Sequence, residues 1–92
     1  WISMKKFELN IIEIEGRDPY IRVDFAGELN ECDSTAIKIS LEKMGDSIKK
    51  VNMNISPEGK HCAIIYRHPC ATIEKTLEDA KDILKNRVFI EK

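Results

Sequence analysis

Residues 50–67 read KVNMNISPEGKHCAIIYR, and this stretch decides the fold. Val51, Met53 and Ile55 alternate with Lys50, Asn52 and Asn54, the period-two signature of a half-buried strand. Ser56-Pro57-Glu58-Gly59 supplies turn chemistry, and His61 to Arg67 forms the returning strand, so the stretch reads as a β-hairpin. In the returning strand Cys62, Ile64 and Tyr66 occupy one side and Ala63 and Ile65 the other. A strand that is apolar on both sides needs cover on both sides.

Working outward, Ile37, Leu41 and Met44 fall on one helical face just upstream of the hairpin. Asp33 or Ser34 is placed to cap that helix at its start, and Gly45 to close it in a left-handed conformation. Before the helix, Ile21, Val23 and Phe25 alternate with Tyr20, Arg22 and Asp24, a half-buried strand that Gly27 ends. Gly16-Arg17-Asp18-Pro19 is a turn by composition. Ahead of it Phe7, Leu9 and Ile11 alternate with polar residues until Ile12 and Ile14 take over on the opposite parity, as a strand does across a bulge. Downstream, Pro69 stops the hairpin, and Ile73, Leu77, Ala80 and Leu84 mark a second helix. Its acids Glu74, Glu78 and Asp79 come early and its bases Lys81, Lys85 and Arg87 late, matching the helix dipole. Asn86 is placed to cap it, and Val88 to Ile90 reads as a short last strand.

Without the Phe7–Ile14 strand the order is strand, helix, strand, strand, helix, strand. That is the split crossover of the α+β ferredoxin-like plait, an antiparallel sheet with two helices on one face. In that fold the first strand lies between the third and the fourth. A Phe7–Ile14 strand hairpinned to it therefore competes with Val88–Ile90 for one edge. The N-terminal strand is longer and more apolar, so it is expected to take the edge and displace the C-terminal one.

Ninety-two residues suit a single domain, 1–92. Trp1, Ile2 and Ser3 precede Met4-Lys5-Lys6, which looks like a natural start, so these three are read as vector-derived and left out of the argument on function. With 42% hydrophobic and 34% charged residues the composition is that of a globular chain. A formal charge of −1 gives no overall field toward nucleic acid or anionic lipid. The longest apolar runs, such as Cys62–Tyr66, are about five residues, against the roughly 20 that a membrane helix needs. Three cysteines, an odd and low number, suggest reduced thiols, and the whole pattern suggests a cytoplasmic protein with no membrane contact.

Helices on one face require Ile21, Val23, Phe25, Val51, Met53 and Ile55 to point inward, which leaves Tyr20, Arg22, Asp24, Asn52 and Asn54 on the open face. The two-sided strand calls for something over that face. The candidate association face is Tyr20, Arg22, Ile64, Ile65 and Tyr66, covered by self-association as a homodimer or by a partner protein. A second candidate is an anion or small-ligand site at the start of the second helix, formed by Arg67, His68, Cys70 and Thr72. RNA is a third candidate partner, through Lys49, Lys50, Lys60, His61, Arg67 and Arg22 with Tyr20 or Tyr66 as a stacking platform, although the glycine-rich RNA motif is absent.

No catalytic motif satisfies the geometry of its chemistry. His61-Cys62 with Arg67 resembles a phosphatase cradle, but four residues intervene where five are needed and the segment is a strand without the required glycine loop. His61, Cys62, His68 and Cys70 are metal-donor types at a spacing that matches no zinc knuckle. No cofactor, metal or catalytic residue is therefore assigned, and the chain reads as non-enzymatic.

The segment Cys32–Gly45 followed by Ile48–Met53 resembles the helix-to-second-strand segment of heavy-metal-associated domains. That likeness implies a plait and, in the family, a soft metal ion held on two cysteines at the start of the first helix. Here Cys32 stands alone, with Leu29 and Thr35 three positions away on either side. The resemblance thus supports the fold and argues against the family's activity. The overall expectation is a non-catalytic regulatory or accessory domain that acts by association.

Overall fold

The structure is a computed structural model that describes residues 4–6, 11–26, 29–86 and 89–91. Its elements are β1 (Met4–Lys6), β2 (Ile11–Gly16), β3 (Tyr20–Phe25), α1 (Glu31–Met44), β4 (Ile48–Ile55), β5 (His61–Arg67), α2 (Ile73–Asn86) and β6 (Phe89–Glu91). β2 to β5 form one four-stranded antiparallel sheet in the order β2-β3-β5-β4, and β1 pairs separately with β6. Two helices on one face of an open antiparallel sheet make an α+β architecture consistent with a ferredoxin-like plait, although the strand order departs from the usual one. Phe7, Leu9, Gly27, Arg87 and Val88 lie outside the described residues.

The departure is the competition anticipated for the edge beside β3. β2 takes it, and the C-terminal strand is displaced onto β1. The reason is local: β2 and β3 are joined by a tight turn, with the Arg17 N–H donating to the Tyr20 carbonyl at 2.7 Å, so closing their ladder costs little chain entropy. The parity change read from the sequence is a real irregularity. The β2–β3 register shifts between Ile11 and Glu13, which leaves Ile12 at the bulge and 62% exposed.

The core lies between the sheet and the helices. Ile21, Val23 and Phe25 of β3, Val51 of β4 and Ala63 and Ile65 of β5 meet Ile37 and Leu41 of α1 and Ala80, Ile83 and Leu84 of α2. Three expectations are corrected. α1 is capped by Asn30, whose side chain accepts from the Asp33 N–H at 2.7 Å, and not by Asp33 or Ser34, which lie inside the helix. Asparagine caps as well as aspartate does, so composition alone does not choose between them. Gly45 is extended at φ −90° and ψ 100°, not left-handed. Glycine serves there by its size: a Cβ would collide with the Ile48 side chain and lie 2.9 Å from the Leu41 carbonyl oxygen, which already accepts the Gly45 N–H. Lastly, Met44 and Ile55 share the core's side of the pattern but are exposed, because α1 ends at Met44 and the β4–β5 hairpin runs out beyond the cover of the helices.

Candidate association face

The open face is built from cross-strand rows. Tyr20 on β3 faces Tyr66 on β5, and Tyr66 faces Lys50 on β4; Arg22, Ile64 and Asn52 form the next row, and Asp24, Cys62 and Asn54 the third. β2 adds Glu15 opposite Arg22 and Glu13 opposite Asp24. The two tyrosine rings sit 6.0 Å apart and tilted by 55°, within the range of favourable aromatic pairs, and the Lys50 Nζ lies 5.2 Å from the Tyr66 ring centre. The Arg22 Nε donates to the Asp24 Oδ1 at 3.0 Å, and this bond and the charge of Asp24 push the guanidinium pKa up. The centre of the sheet therefore presents Cys62, Ile64 and Tyr66, all half-buried, beside the Arg22–Asp24 ion pair.

Four of the five residues assigned to this face from sequence are brought together there: Tyr20, Arg22, Ile64 and Tyr66. Ile65 is not. It shares the parity of Ala63, points at the helices and is fully buried in the core. The helices pack on the other side of the sheet, and the principal contacts of β6 are with β1 and α1.

The residues of the second candidate are divided between two clefts on either side of Ala71. His68 and Cys70 line one of about 470 Å³ together with Asp46, Ser47, Lys75 and Asp79. Arg67 and Thr72 line another of about 340 Å³ together with Asp18 and Glu74. The Arg67 Nε donates to the Asp18 Oδ1 at 2.6 Å, and its Nη1 donates to the carbonyls of His68 and Ala71, each at 3.2 Å. Thr72 caps α2, its hydroxyl oxygen accepting from the Lys75 N–H at 3.1 Å. An internal carboxylate and an internal hydroxyl thus occupy two of the donors at this end of α2.

In the larger cleft burial pushes the Asp79 carboxyl up. The Ser47 hydroxyl, donating at 2.6 Å, and the Lys75 ammonium at 3.2 Å outweigh burial and hold it below the usual carboxylate range. The Ser47 carbonyl accepts from the His68 N–H and from the Thr76 hydroxyl, so this network ties the α1–β4 loop to α2. Among the described residues no three His, Cys, Asp or Glu side chains are grouped to hold a metal ion. His61 lies on the helix side, with its Nδ1 accepting from the Leu29 N–H at 3.3 Å.

Sequence reasoning missed Glu42. From α1 its carboxylate accepts the Val51 N–H at 2.9 Å, on the outer edge of β4, while the Lys38 Nζ bridges both of its oxygens at 3.1 Å. The Lys38–Glu42 spacing of four was readable as a helix pair, but nothing local marks the reach to Val51.

No family model matches the chain, and no curated protein or solved structure does either. The likeness of Cys32–Met53 to heavy-metal-associated domains thus has no family match behind it, and Cys32 is a lone exposed thiol in the first turn of α1. Among the described residues no helix is long and apolar enough to cross a membrane.

Proposed function

We propose that this chain is a non-catalytic association domain that pairs with a second copy of itself through the open face of the β2-β3-β5-β4 sheet, in a regulatory or accessory role. The observation that carries the reading is the outer side of β5. This central strand projects Cys62, Ile64 and Tyr66 away from the core, and two of the charges beside them, Arg22 and Asp24, are already paired within the face. Such a surface loses little on desolvation when it meets a copy of itself, and a two-fold axis along the strands would set the acidic β2 over Lys50-bearing β4. Four strands about 4.8 Å apart and some 20 Å long offer roughly 400 Å² of projected face, about half of what one partner contributes to a standard interface. Micromolar or weaker pairing is therefore expected.

Sedimentation equilibrium across a wide concentration range tests this. The native mass should rise with concentration to that of a dimer or beyond, and Ile64→Arg, with folding checked by circular dichroism, should weaken association at least tenfold. A concentration-independent monomer, or an unchanged association curve in Ile64→Arg, refutes the reading. The Tyr20–Tyr66 pair beside Lys50 also suits a stacked RNA strand, but Glu13, Glu15 and Asp24 share the face and oppose a phosphate backbone. Salt-sensitive RNA binding lost in Lys50→Glu would favour that alternative. For a small-ligand sensor using His68 and Cys70, the corresponding check is a thermal-shift screen of nucleotides, amino acids and metals.

A further inference from the structure

β4 is an edge strand of eight residues, and exposed edges of that length are protected in natural sheets because their free N–H and C=O groups recruit further strands. Glu42 protects part of this one. Because the Val51 N–H points outward to Glu42, the alternation of an antiparallel ladder turns the N–H and C=O groups of Met53 and Ile55 outward as well. Among the described residues neither of these N–H groups has a partner. At the same place Ile55 is 62% exposed, next to Met53, which is half-buried against the margin of the core.

We propose that Met53–Ile55 is a second association site, at which the β4 edge pairs antiparallel with the β4 edge of another copy about a two-fold axis through Asn54. The register follows from the groups left open. An axis at Asn54 sets Met53 against the partner's Ile55 and Ile55 against the partner's Met53, so that four new backbone hydrogen bonds use only unoccupied groups. An axis at Met53 would call on the Val51 N–H, which Glu42 already holds. An axis nearer Lys50 would set lysines against lysines. The Asn54 axis does the reverse, running the Lys49–Lys50 end of one strand past the Glu58 turn of the other on both sides. It also lays each exposed Ile55 against a Met53, an apolar cross-strand pair. This contact is separate from the open face and independent of the reading above.

The register predicts a cross-link. Asn54 would face Asn54 as a non-hydrogen-bonded pair with Cα atoms about 4.5 Å apart, within disulfide reach, whereas the two Asn52 residues would sit roughly 13 Å apart along the strands. The test uses the full chain with its three cysteines changed to serine, since Cys62 lies directly opposite Asn54 on β5 and would capture a thiol placed there. In a glutathione buffer Asn54→Cys should form disulfide dimers at least tenfold faster than Asn52→Cys, and should still do so when Ile64→Arg has disabled the open face. Equal rates for the two positions, or loss of the difference with Ile64→Arg, overturns the proposal. On the otherwise native chain carrying Ile64→Arg, adding Ile55→Asp at this exposed position should abolish the dimer that sedimentation detects at high concentration. If that mass is unchanged, the edge is not the contact.

Discussion

Gly45 is where two well-known effects of replacing glycine oppose each other, and the structure decides which wins. At φ −90° and ψ 100° alanine fits the backbone without strain, so reduced freedom of the unfolded chain alone would make Gly45→Ala stabilising by about 0.4–1 kcal/mol. The new methyl, however, would overlap the Ile48 side chain and lie 2.9 Å from the Leu41 carbonyl oxygen. Ile48 is itself buried in the core at 3% exposure, and the Leu41 oxygen is fixed by the Gly45 N–H, so neither can move aside freely. Overpacking of this kind costs about 1–3 kcal/mol, which leaves a net loss of about 1–2 kcal/mol. For a domain of this size that lowers Tm by roughly 4–16 °C. Gly16→Ala is the control, because its Cβ would meet only the Ile73 Cγ1 at 3.6 Å, an ordinary contact, and Tm should hold or rise. Thermal unfolding followed by circular dichroism reads both. A Gly45→Ala protein as stable as the native one, or a loss that Gly16→Ala shares, would refute the steric argument.

Glu42 provides a pH-dependent prediction. The Val51 N–H is the largest cause holding its carboxyl below the usual range; burial opposes, and Lys38 adds to the lowering. A carboxyl whose folded pKa lies below its unfolded value stabilises the fold above the unfolded pKa, and the contribution is lost as pH falls through the folded one. Glu42→Gln should therefore cost about 1 kcal/mol at neutral pH and approach the native stability in acid, read from melts between pH 7 and 3. A pH-independent difference would sink the assignment. Asn30→Ala should cost about 1 kcal/mol by removing the α1 cap, while Ser34→Ala should be nearly neutral in the same melts; the reverse order would show that the cap lies inside the helix after all.

Periodicity carried most of the fold. The β4–β5 hairpin, apart from the first two residues of β4, and β3 were readable because each buries one parity against the helices and the Ser56–Gly59 turn fixes their register. The edge contest was readable too, since it depends on which strand can close a short loop onto β3. What escaped was set by space rather than pattern. Asn30, which the reading passed over, has much the same intrinsic cap preference as Asp33 and Ser34 within the same five residues, and only the packing of Ile37 and Leu41 onto the sheet fixes which turn comes first. Gly45 was rightly marked as the end of the helix for a reason that concerns φ, whereas the structure gives a reason of volume.

The candidate face was legible but for Ile65, and that one residue shows why. Alternation assigns Ile64 and Ile65 to opposite sides of β5, so only one of them can lie on the open face once the helices are placed; grouping them followed from apolarity and not from parity. The four residues of the candidate anion site are parted for a different reason. Arg67, His68, Cys70 and Thr72 are close in sequence, but a chain leaving a strand, passing Pro69 and entering α2 turns successive side chains to different sides, and the clefts on either side of Ala71 receive them in pairs. Asp18, which holds Arg67, comes from a turn 49 residues away, and no reading of the local motif could have supplied it. The edge at Met53–Ile55 was hidden by the same kind of distance, because whether an edge N–H is free depends on Glu42 reaching it from another element. Which groups an edge leaves unpaired is fixed only once the long-range partners are in place.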